Sequence, residues 1–207
     1  MIRECCIYIK RKNKKNIYYQ KFIVGCLGVG RGVGNTSLAI SLASYLTGVY
    51  GLKTALIECN EHSDFMKIRK IIGIPYSSKA THFDYQRISF FKRGDSKNIS
   101  AIMAQDYDVI ILDMEYGYKD WKIDFLRCDV KLAAVGLNMW KVGYLKTFLD
   151  DCKDIIKTVK YVSLTYPKAT VKTLKKSYQI NLSKIPYEED VFCIQPCNIE
   201  FYENLLK

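Results

Sequence analysis

The chain has 207 residues and a formal net charge of +11, with 49% hydrophobic and 26% charged residues. This length suits one globular domain, and the composition excludes collagen, low complexity and bulk disorder. No apolar run reaches the roughly 18 residues of a membrane-spanning helix, and the first residues lack the apolar core and cleavage site of a signal peptide. We therefore expect a cytoplasmic protein whose eight cysteines are reduced thiols.

A basic segment precedes the first recognisable strand. Residues 1–21 carry seven Lys or Arg residues against the single acid Glu4. Such an arm favours nucleic acid, anionic lipid or an acidic partner, and it also occurs as a solvated extension. We divide the chain into a basic N-terminal extension, residues 1–20, and one domain, residues 21–207. The ligand of the arm stays open, and binding to lipid would place the protein peripherally at the inner face of the membrane.

From residue 21 onward, apolar runs alternate with helical patterns. The patterns predict strands at 22–27, 54–57, 109–113, 131–137, 159–164 and 182–185, and helices at 36–49, 64–72, 99–104, 119–127, 139–157, 170–178 and 199–206. Residues 83–91 are interpreted as one weaker strand. This alternation indicates parallel strands joined by right-handed crossovers. The predicted fold class is α/β, a doubly wound and mostly parallel sheet.

A glycine-rich segment joins the first strand to the first helix. Gly28, Gly30, Gly32 and Gly34 alternate with other residues just before the helix that opens at Thr36. Glycines allow a tight turn and a close approach to a ligand, and the helix N-terminus adds free N–H groups and partial positive charge. Ligands of doubly wound sheets bind beyond the carboxyl ends of the strands. The sequence therefore predicts a phosphate or nucleotide site at this loop.

Three segments resemble the MinD/ParA group of P-loop ATPases, which have a deviant Walker A motif. GVGRGVGNTSLAISLASYL resembles the pattern K-G-G-x-G-K-[ST]-[ST] with its Ala/Leu-rich helix, and TALIECN resembles the second strand, which normally ends in D-x-D. YDVIILDMEYG resembles the Walker B strand. The resemblance covers residues 21–165 and implies a P-loop NTPase-like, three-layer α/β/α fold, with ATP and Mg²⁺ as cofactors and a homodimer.

The resemblance also implies which residues form the site. The nucleotide would contact Gly30, Arg31, Gly32, Val33, Gly34, Asn35, Thr36, Ser37 and Glu58, and Mg²⁺ would be held by Thr36 and Asp113. No catalytic residue is expected.

Three departures from the family pattern affect catalysis. The family's signature lysine falls on Gly30, its P-loop lysine on Asn35, and the second acid of the second strand on Asn60. A P-loop lysine neutralises the charge of the β and γ phosphates, and Asn35 has no charge to replace it. Asn60, at the position of the second acid, cannot accept a proton from the attacking water. We therefore expect nucleotide to bind weakly or not at all, with little hydrolysis. Arg31 is a candidate for partial compensation, because a guanidinium can contact a phosphate bidentately.

Within the family, an eroded Walker A motif is similar to that of the TadZ/CpaE-type proteins, which localise pilus assembly machinery at the membrane or the cell pole. This resemblance implies a regulatory or localisation scaffold in pilus or secretion assembly. Its partners would be proteins of a membrane-associated assembly.

Three alternatives remain open. An active ParA-type partitioning ATPase with non-specific DNA binding is favoured by the basic charge and opposed by the lost groups. An NAD(P)-dependent Rossmann oxidoreductase is indicated by the spacing Gly28-x-x-x-Gly32-x-Gly34, by Glu58 at the ribose position, and by the Y-x-x-x-K spacing of Tyr118 and Lys122. A phosphotransferase of the wider P-loop class would need an acceptor site, which the sequence does not indicate.

Overall fold

A computed structural model of the chain describes residues 21–75, 82–92, 96–117 and 121–207. The predicted extension, residues 1–20, and Tyr118 lie outside the described residues. The strands are β1 Phe22–Val29, β2 Thr54–Cys59, β3 His82–Tyr85, β4 Ile88–Phe91, β5 Val109–Glu115, β6 Val130–Val135, β7 Val159–Ser163 and β8 Leu182–Lys184. The helices are α1 Asn35–Tyr50, α2 Asp64–Ile71, α3 Ser96–Met103, α4 Trp121–Arg127, α5 Val142–Asp151, α6 Lys168–Tyr178 and α7 Ile199–Leu206.

The strands of the described residues form one sheet in the order β3-β4-β2-β5-β1-β6-β7-β8. Every neighbouring pair is parallel except β3 and β4. The central strand β1 lies between β5 and β6, so the chain crosses to one side of β1 through α1 and to the other through α4. This is the topological switch point of a doubly wound sheet, where the ends of adjacent strands leave a crevice for a ligand. The predicted α/β fold class is confirmed.

Alternate residues of the central strands enter two separate cores. Val24 and Cys26 of β1 face the core beneath α1, α2 and α7, whereas Ile23 and Leu27 face the core on the opposite side. Because side chains alternate across a strand, a sheet covered on both faces requires apolar residues at every position. This explains why β1 is a continuous apolar run in the sequence.

The first helix is buried on most of its circumference. Twelve of the 16 residues of α1 are buried, including Leu38, Leu42 and Leu46. The helix ends at Gly51, whose φ of 67° lies in the left-handed region and whose N–H bonds the carbonyl of Thr47 at 3.1 Å. The long buried α1 holds its N-terminus firmly at the carboxyl end of β1.

Two predicted elements differ from the structure. Residues 83–91 are not one strand: β3 and β4 form an antiparallel hairpin through Gln86 and Arg87, whose φ values are 46° and 66°. Two left-handed residues in succession are typical of a type I′ turn, which usually contains Asn or Gly, so this turn has no sequence signal. The observed helix α5 is also shorter than the helix predicted at 139–157. It ends at Asp151, and residues 156–158 form a separate 3₁₀ turn.

The described cysteines form no disulfide with one another. Cys26, Cys59, Cys128 and Cys152 are buried, and Cys26 and Cys59 lie in β1 and β2. Burial raises the pKa of the Cys26 and Cys59 thiols well above the ordinary value, so they pack as neutral groups. The described residues contain no helix with the length and apolar character needed to span a bilayer.

Candidate functional site

The loop between β1 and α1 passes over the carboxyl end of the sheet. Gly30, Gly32 and Gly34 have φ values of 99°, 63° and 84°, all in a region that side chains with a Cβ rarely adopt. The alternating glycines therefore make this path possible. A Cβ at Gly34 would also lie 2.9 Å from Cδ1 of Leu164, so this position is closed to larger residues by packing as well.

The loop presents a row of free backbone donors. Among the described residues, none of the seven N–H groups of residues 31–37 donates to a protein acceptor. Four of them belong to the open end of α1, and the others precede it. Free N–H groups at the start of a 16-residue helix carry partial positive charge and suit a phosphate group. The backbone geometry of the loop is therefore compatible with the phosphate site that the sequence predicts.

A cavity of about 220 Å³ lies within the loop and the adjoining strand ends. The loop contributes Gly30, Arg31, Gly32, Val33, Gly34, Asn35, Thr36 and Ser37, which are all of the loop residues that the sequence predicts. Across the cavity lie Asn60, His62, Asp64, Asp113 and Glu115. His62 Nε2 lies 3.1 Å from Glu115 Oε2, and the two side chains form part of the rim.

Asp113 lies at the base of the cavity and is almost completely buried, with 1% exposure. Its Oδ1 accepts a hydrogen bond from Asn35 Nδ2 at 2.6 Å, and its Oδ2 accepts one from the Thr36 hydroxyl at 2.8 Å. Asn60 Nδ2 lies 3.3 Å from both Oδ2 and the backbone oxygen of Asp113. Three side chains from two other elements therefore converge on this carboxylate.

Burial raises the pKa of Asp113 from 3.8 to about 7. The hydrogen bonds from Thr36, Asn35 and Asn60 lower the pKa, and the nearby charge of Glu58 raises it. The charged form loses its hydration when it is buried, and the three donors restore only part of that loss. Asp113 therefore changes protonation state near neutral pH in this structure.

Asn35, at the position of the family's P-loop lysine, points into the core. Its Nδ2 donates to Asp113 Oδ1, to the carbonyl of Cys26 at 3.0 Å and to the carbonyl of Met114 at 3.1 Å. Its Oδ1 is buried and has no hydrogen-bond partner among the described residues. The amide nitrogen alone fixes the side chain, between β1 and β5. The position that carries a cation in the family pattern is thus an uncharged side chain that is hydrogen-bonded within the protein.

The structure does not bring Glu58 to the cavity, although the sequence places it among the predicted site residues. Its carboxylate accepts hydrogen bonds from the N–H of Asp64 at 2.6 Å and of Phe65 at 3.4 Å. These are free donors at the start of α2, so Glu58 acts as a cap for that helix. Burial raises the pKa of Glu58, and the two N–H groups act in the opposite direction. Asn60, two residues further along the chain, reaches Asp113 instead.

The remaining groups fit a nucleotide-bound Mg²⁺. The Thr36 hydroxyl donates a hydrogen bond to Asp113 and keeps its oxygen lone pairs available, and both residues line the cavity beside the free N–H groups. Mg²⁺ binds through one or two protein oxygens together with phosphate oxygens and water. The described residues contain no cluster of three or more His, Cys, Asp or Glu that could hold a metal without a nucleotide.

Sequence reasoning missed Lys141 at this site. Its Nζ donates to the carbonyl of Gly32 at 2.9 Å, although 109 residues separate them. No spacing rule links a residue after β6 to the loop after β1, because the contact depends on the two strands being neighbours in the sheet.

The fold matches solved structures of ParA- and MinD-type proteins. A plasmid partition protein from Borrelia burgdorferi B31 bound to AMPPNP has a TM-score of 0.65 and 17% identity, over 90% of this chain and 97% of that chain. A chain of the MinC:MinD cell division protein complex of Aquifex aeolicus has a TM-score of 0.58 and 16% identity, over 89% of this chain and 86% of that chain. Cobyrinic acid a,c-diamide synthase from Mycobacterium smegmatis, with an ATP analogue and magnesium, has a TM-score of 0.66 and 14% identity, over 90% and 95%.

Sequence comparison adds no closer relative. The sequence matches no protein-family profile, and it has no significant match among curated proteins. The structural matches do not favour the dinucleotide-binding oxidoreductase alternative, which also needs Tyr118, a residue outside the described ones. At these identities the matches establish the fold: the chain has the architecture of the ParA/MinD-type P-loop ATPases.

Proposed function

We propose that this chain is a degenerate MinD/ParA-like P-loop protein that binds the phosphates of a nucleotide weakly and does not turn it over. It would act as a regulatory or localisation scaffold rather than as an ATPase. The observation that carries this proposal is the hydrogen bonding of Asn35, whose amide is tied to Asp113 and to two backbone carbonyls of the core.

The loss of turnover follows from the chemistry of phosphoryl transfer. The enzyme contributes mainly positioning and electrostatic stabilisation, so a missing cation at the β and γ phosphates removes a large part of the catalysis. Asn35 cannot supply that charge, and it is not free to move toward the phosphates. Asn60 cannot act as a base for the attacking water, and its amide is directed at Asp113. Glu58 is engaged at the N-terminus of α2.

Weak binding is compatible with the groups that remain. The seven free N–H groups of residues 31–37 would hold phosphate oxygens, and Thr36 and Asp113 would hold Mg²⁺, which would neutralise part of the phosphate charge. Arg31 is exposed on the loop, and its guanidinium would contact the phosphates from the solvent side of the loop.

The test combines binding and turnover on one sample. The full-length protein is titrated calorimetrically with ATP, ADP and NADH in Mg²⁺, and phosphate release is followed in parallel. We expect weak ATP binding, no phosphate release above a protein-free control, and loss of the Mg²⁺-dependent binding in Thr36→Ala. Release at ordinary enzyme rates, about 1 s⁻¹ or more, would contradict the proposal and favour an active ParA-type partitioning ATPase. NADH binding would favour the oxidoreductase.

The remaining parts of the proposal concern partners. A homodimer and protein partners in a membrane-associated pilus or secretion assembly rest on the resemblance, and the MinC:MinD complex is a precedent for a protein partner within this fold. Light scattering with and without AMPPNP tests the dimer. Co-sedimentation with anionic vesicles, and DNA binding at two salt concentrations, compare the full chain with a variant lacking residues 1–20. Equal binding by the full chain and the variant would show that residues 1–20 do not mediate binding to vesicles or DNA.

A further inference from the structure

The loop lacks a cation at both positions where the family pattern has a lysine, yet a lysine from elsewhere reaches it. Gly30 and Asn35 occupy those two positions. Lys141, between β6 and α5, directs its Nζ to the carbonyl of Gly32 at 2.9 Å. This contact is the starting point for the inference.

The path of the Lys141 side chain depends on a glycine at the end of β6. A Cβ at Gly136 would lie 2.5 Å from Cδ and 2.7 Å from Cβ of Lys141, so no larger residue fits beneath the aliphatic stem. At the other end, a Cβ at Gly32 would lie 3.5 Å from the Lys141 Nζ. The Lys141 side chain therefore extends from Gly136, at the end of β6, to Gly32 in the loop.

Local structure does not account for a lysine at this place. Lys141 is the residue before α5, where Ser, Thr, Asp or Asn would cap the helix, and its side chain makes no capping hydrogen bond. Among the described residues, no carboxylate lies within 4.0 Å of its Nζ. A bound anion would supply the missing counter-charge.

The hydrogen bond also orients the loop. Lys141 Nζ holds the Gly32 carbonyl, and both residues of that peptide, Gly32 and Val33, line the cavity. In a trans peptide the C=O and the next N–H point in opposite directions. The Lys141 contact therefore fixes the direction of the Val33 N–H, which has no protein acceptor among the described residues and belongs to a residue that lines the cavity.

We propose that Lys141 is the cationic positioning residue of this loop for a ligand that carries a diphosphate or triphosphate group. It holds the Gly32–Val33 peptide with its N–H toward the phosphates, and it adds one positive charge from outside the loop. This inference rests on the proposed function, since it takes the loop to be a phosphate site, and it identifies what replaces the missing lysines.

The test measures binding of pyrophosphate and of AMPPNP to the full-length chain by calorimetry, with Mg²⁺ and with EDTA. Lys141→Met keeps the apolar stem and removes the charge, and we expect it to weaken both ligands about tenfold or more. Lys141→Arg keeps a charge and a donor and should recover part of the affinity. The matched control is Lys146→Met, which makes the same charge change at an exposed position of α5 and should leave binding within about twofold.

A second variant separates positioning from charge. Gly136→Ala retains the charge of Lys141 and displaces its stem, so we expect it to weaken pyrophosphate binding to a similar degree while circular dichroism confirms a folded chain. Wild-type affinity in Lys141→Met would overturn the inference, and so would an equal loss in Lys146→Met or an absence of pyrophosphate and AMPPNP binding in the wild type. Phosphate release from ATP would overturn the proposed function alone, because pyrophosphate and AMPPNP binding do not depend on turnover.

Discussion

Replacement of Asp113 by Asn tests the electrostatic description of the site. Asp113 is buried with 1% exposure beside Asn35, Thr36 and Asn60, and its pKa is raised to about 7. Asn has nearly the same shape and is neutral at every pH. It can accept a hydrogen bond from Asn35 and donate one to the Thr36 oxygen. The variant therefore removes the titration while the packing is kept.

The expected magnitude follows from the shift of the pKa between the unfolded and folded states. The unfolded chain has an ordinary pKa of 3.8, and each pKa unit corresponds to about 1.36 kcal/mol, so a folded value of about 7 is worth about 4 kcal/mol. A raised carboxyl pKa means that the native state binds the proton more tightly. The stabilisation is fully present below pH 3.8, declines as the pH rises, and is lost above about pH 7.

The assay is urea denaturation of the full-length wild type and Asp113→Asn at pH 4.5, 6 and 8, in EDTA so that no metal ion contributes. We expect the variant to gain stability relative to the wild type as the pH rises, with a gain of about 3 to 4 kcal/mol between the first and last conditions. Burial also raises the pKa of Glu58, which gives a trend of the same sign in both proteins, so the difference between them reports Asp113 together with its coupling to Glu58.

Parallel stability curves for the two proteins between pH 4.5 and 8 would refute this reasoning. They would mean that Asp113 stays ionised in the native state and that its three donors outweigh the cost of burial. A falling relative stability of the variant would mean that the charged form is preferred by the fold.

Four further substitutions test particular contacts. Asn35→Ala leaves a buried carboxylate and two carbonyls without their shared donor, so urea denaturation should show a loss of about 1 to 3 kcal/mol, and an unchanged midpoint would disprove the link. Gly25→Ala puts a Cβ 2.8 Å from a buried sulfur and should lower the free energy of unfolding by about 1 to 3 kcal/mol. Gly48→Ala, which meets open space in α1, should raise it by about 0.5 to 1 kcal/mol. Thermal unfolding of both variants distinguishes crowding at Gly25 from a general effect of replacing glycine. Glu58→Ala removes the cap of α2 and should cost about 1 to 2 kcal/mol without changing AMPPNP affinity, and a tenfold loss of affinity would return Glu58 to the nucleotide site.

The sequence could predict the central strands because their signal is local. Both faces of the sheet are covered, so β1 and β5 are continuous apolar runs in any arrangement that buries them. The glycine pattern of the loop is local as well, since left-handed φ values restrict which residues can stand there. The hairpin of β3 and β4 gave no such signal, because its turn contains Gln86 and Arg87 in place of Asn or Gly.

Some features of the candidate site could likewise be predicted from the sequence, and others depend on the tertiary structure. The sequence alone determined that the two lysine positions of the family pattern are uncharged, that the loop precedes a helix rich in apolar residues, and that Asp113 lies near the carboxyl end of a predicted strand. Tertiary structure decided that Asn35 binds Asp113 within the core, that Glu58 caps α2 away from the cavity, and that Lys141 reaches the loop. These contacts join residues that are distant in the chain. Which residues meet depends on the order of the strands in the sheet and on which side chains pack into the same small buried volume. The spacing of residues along the sequence indicates neither the strand order nor that packing.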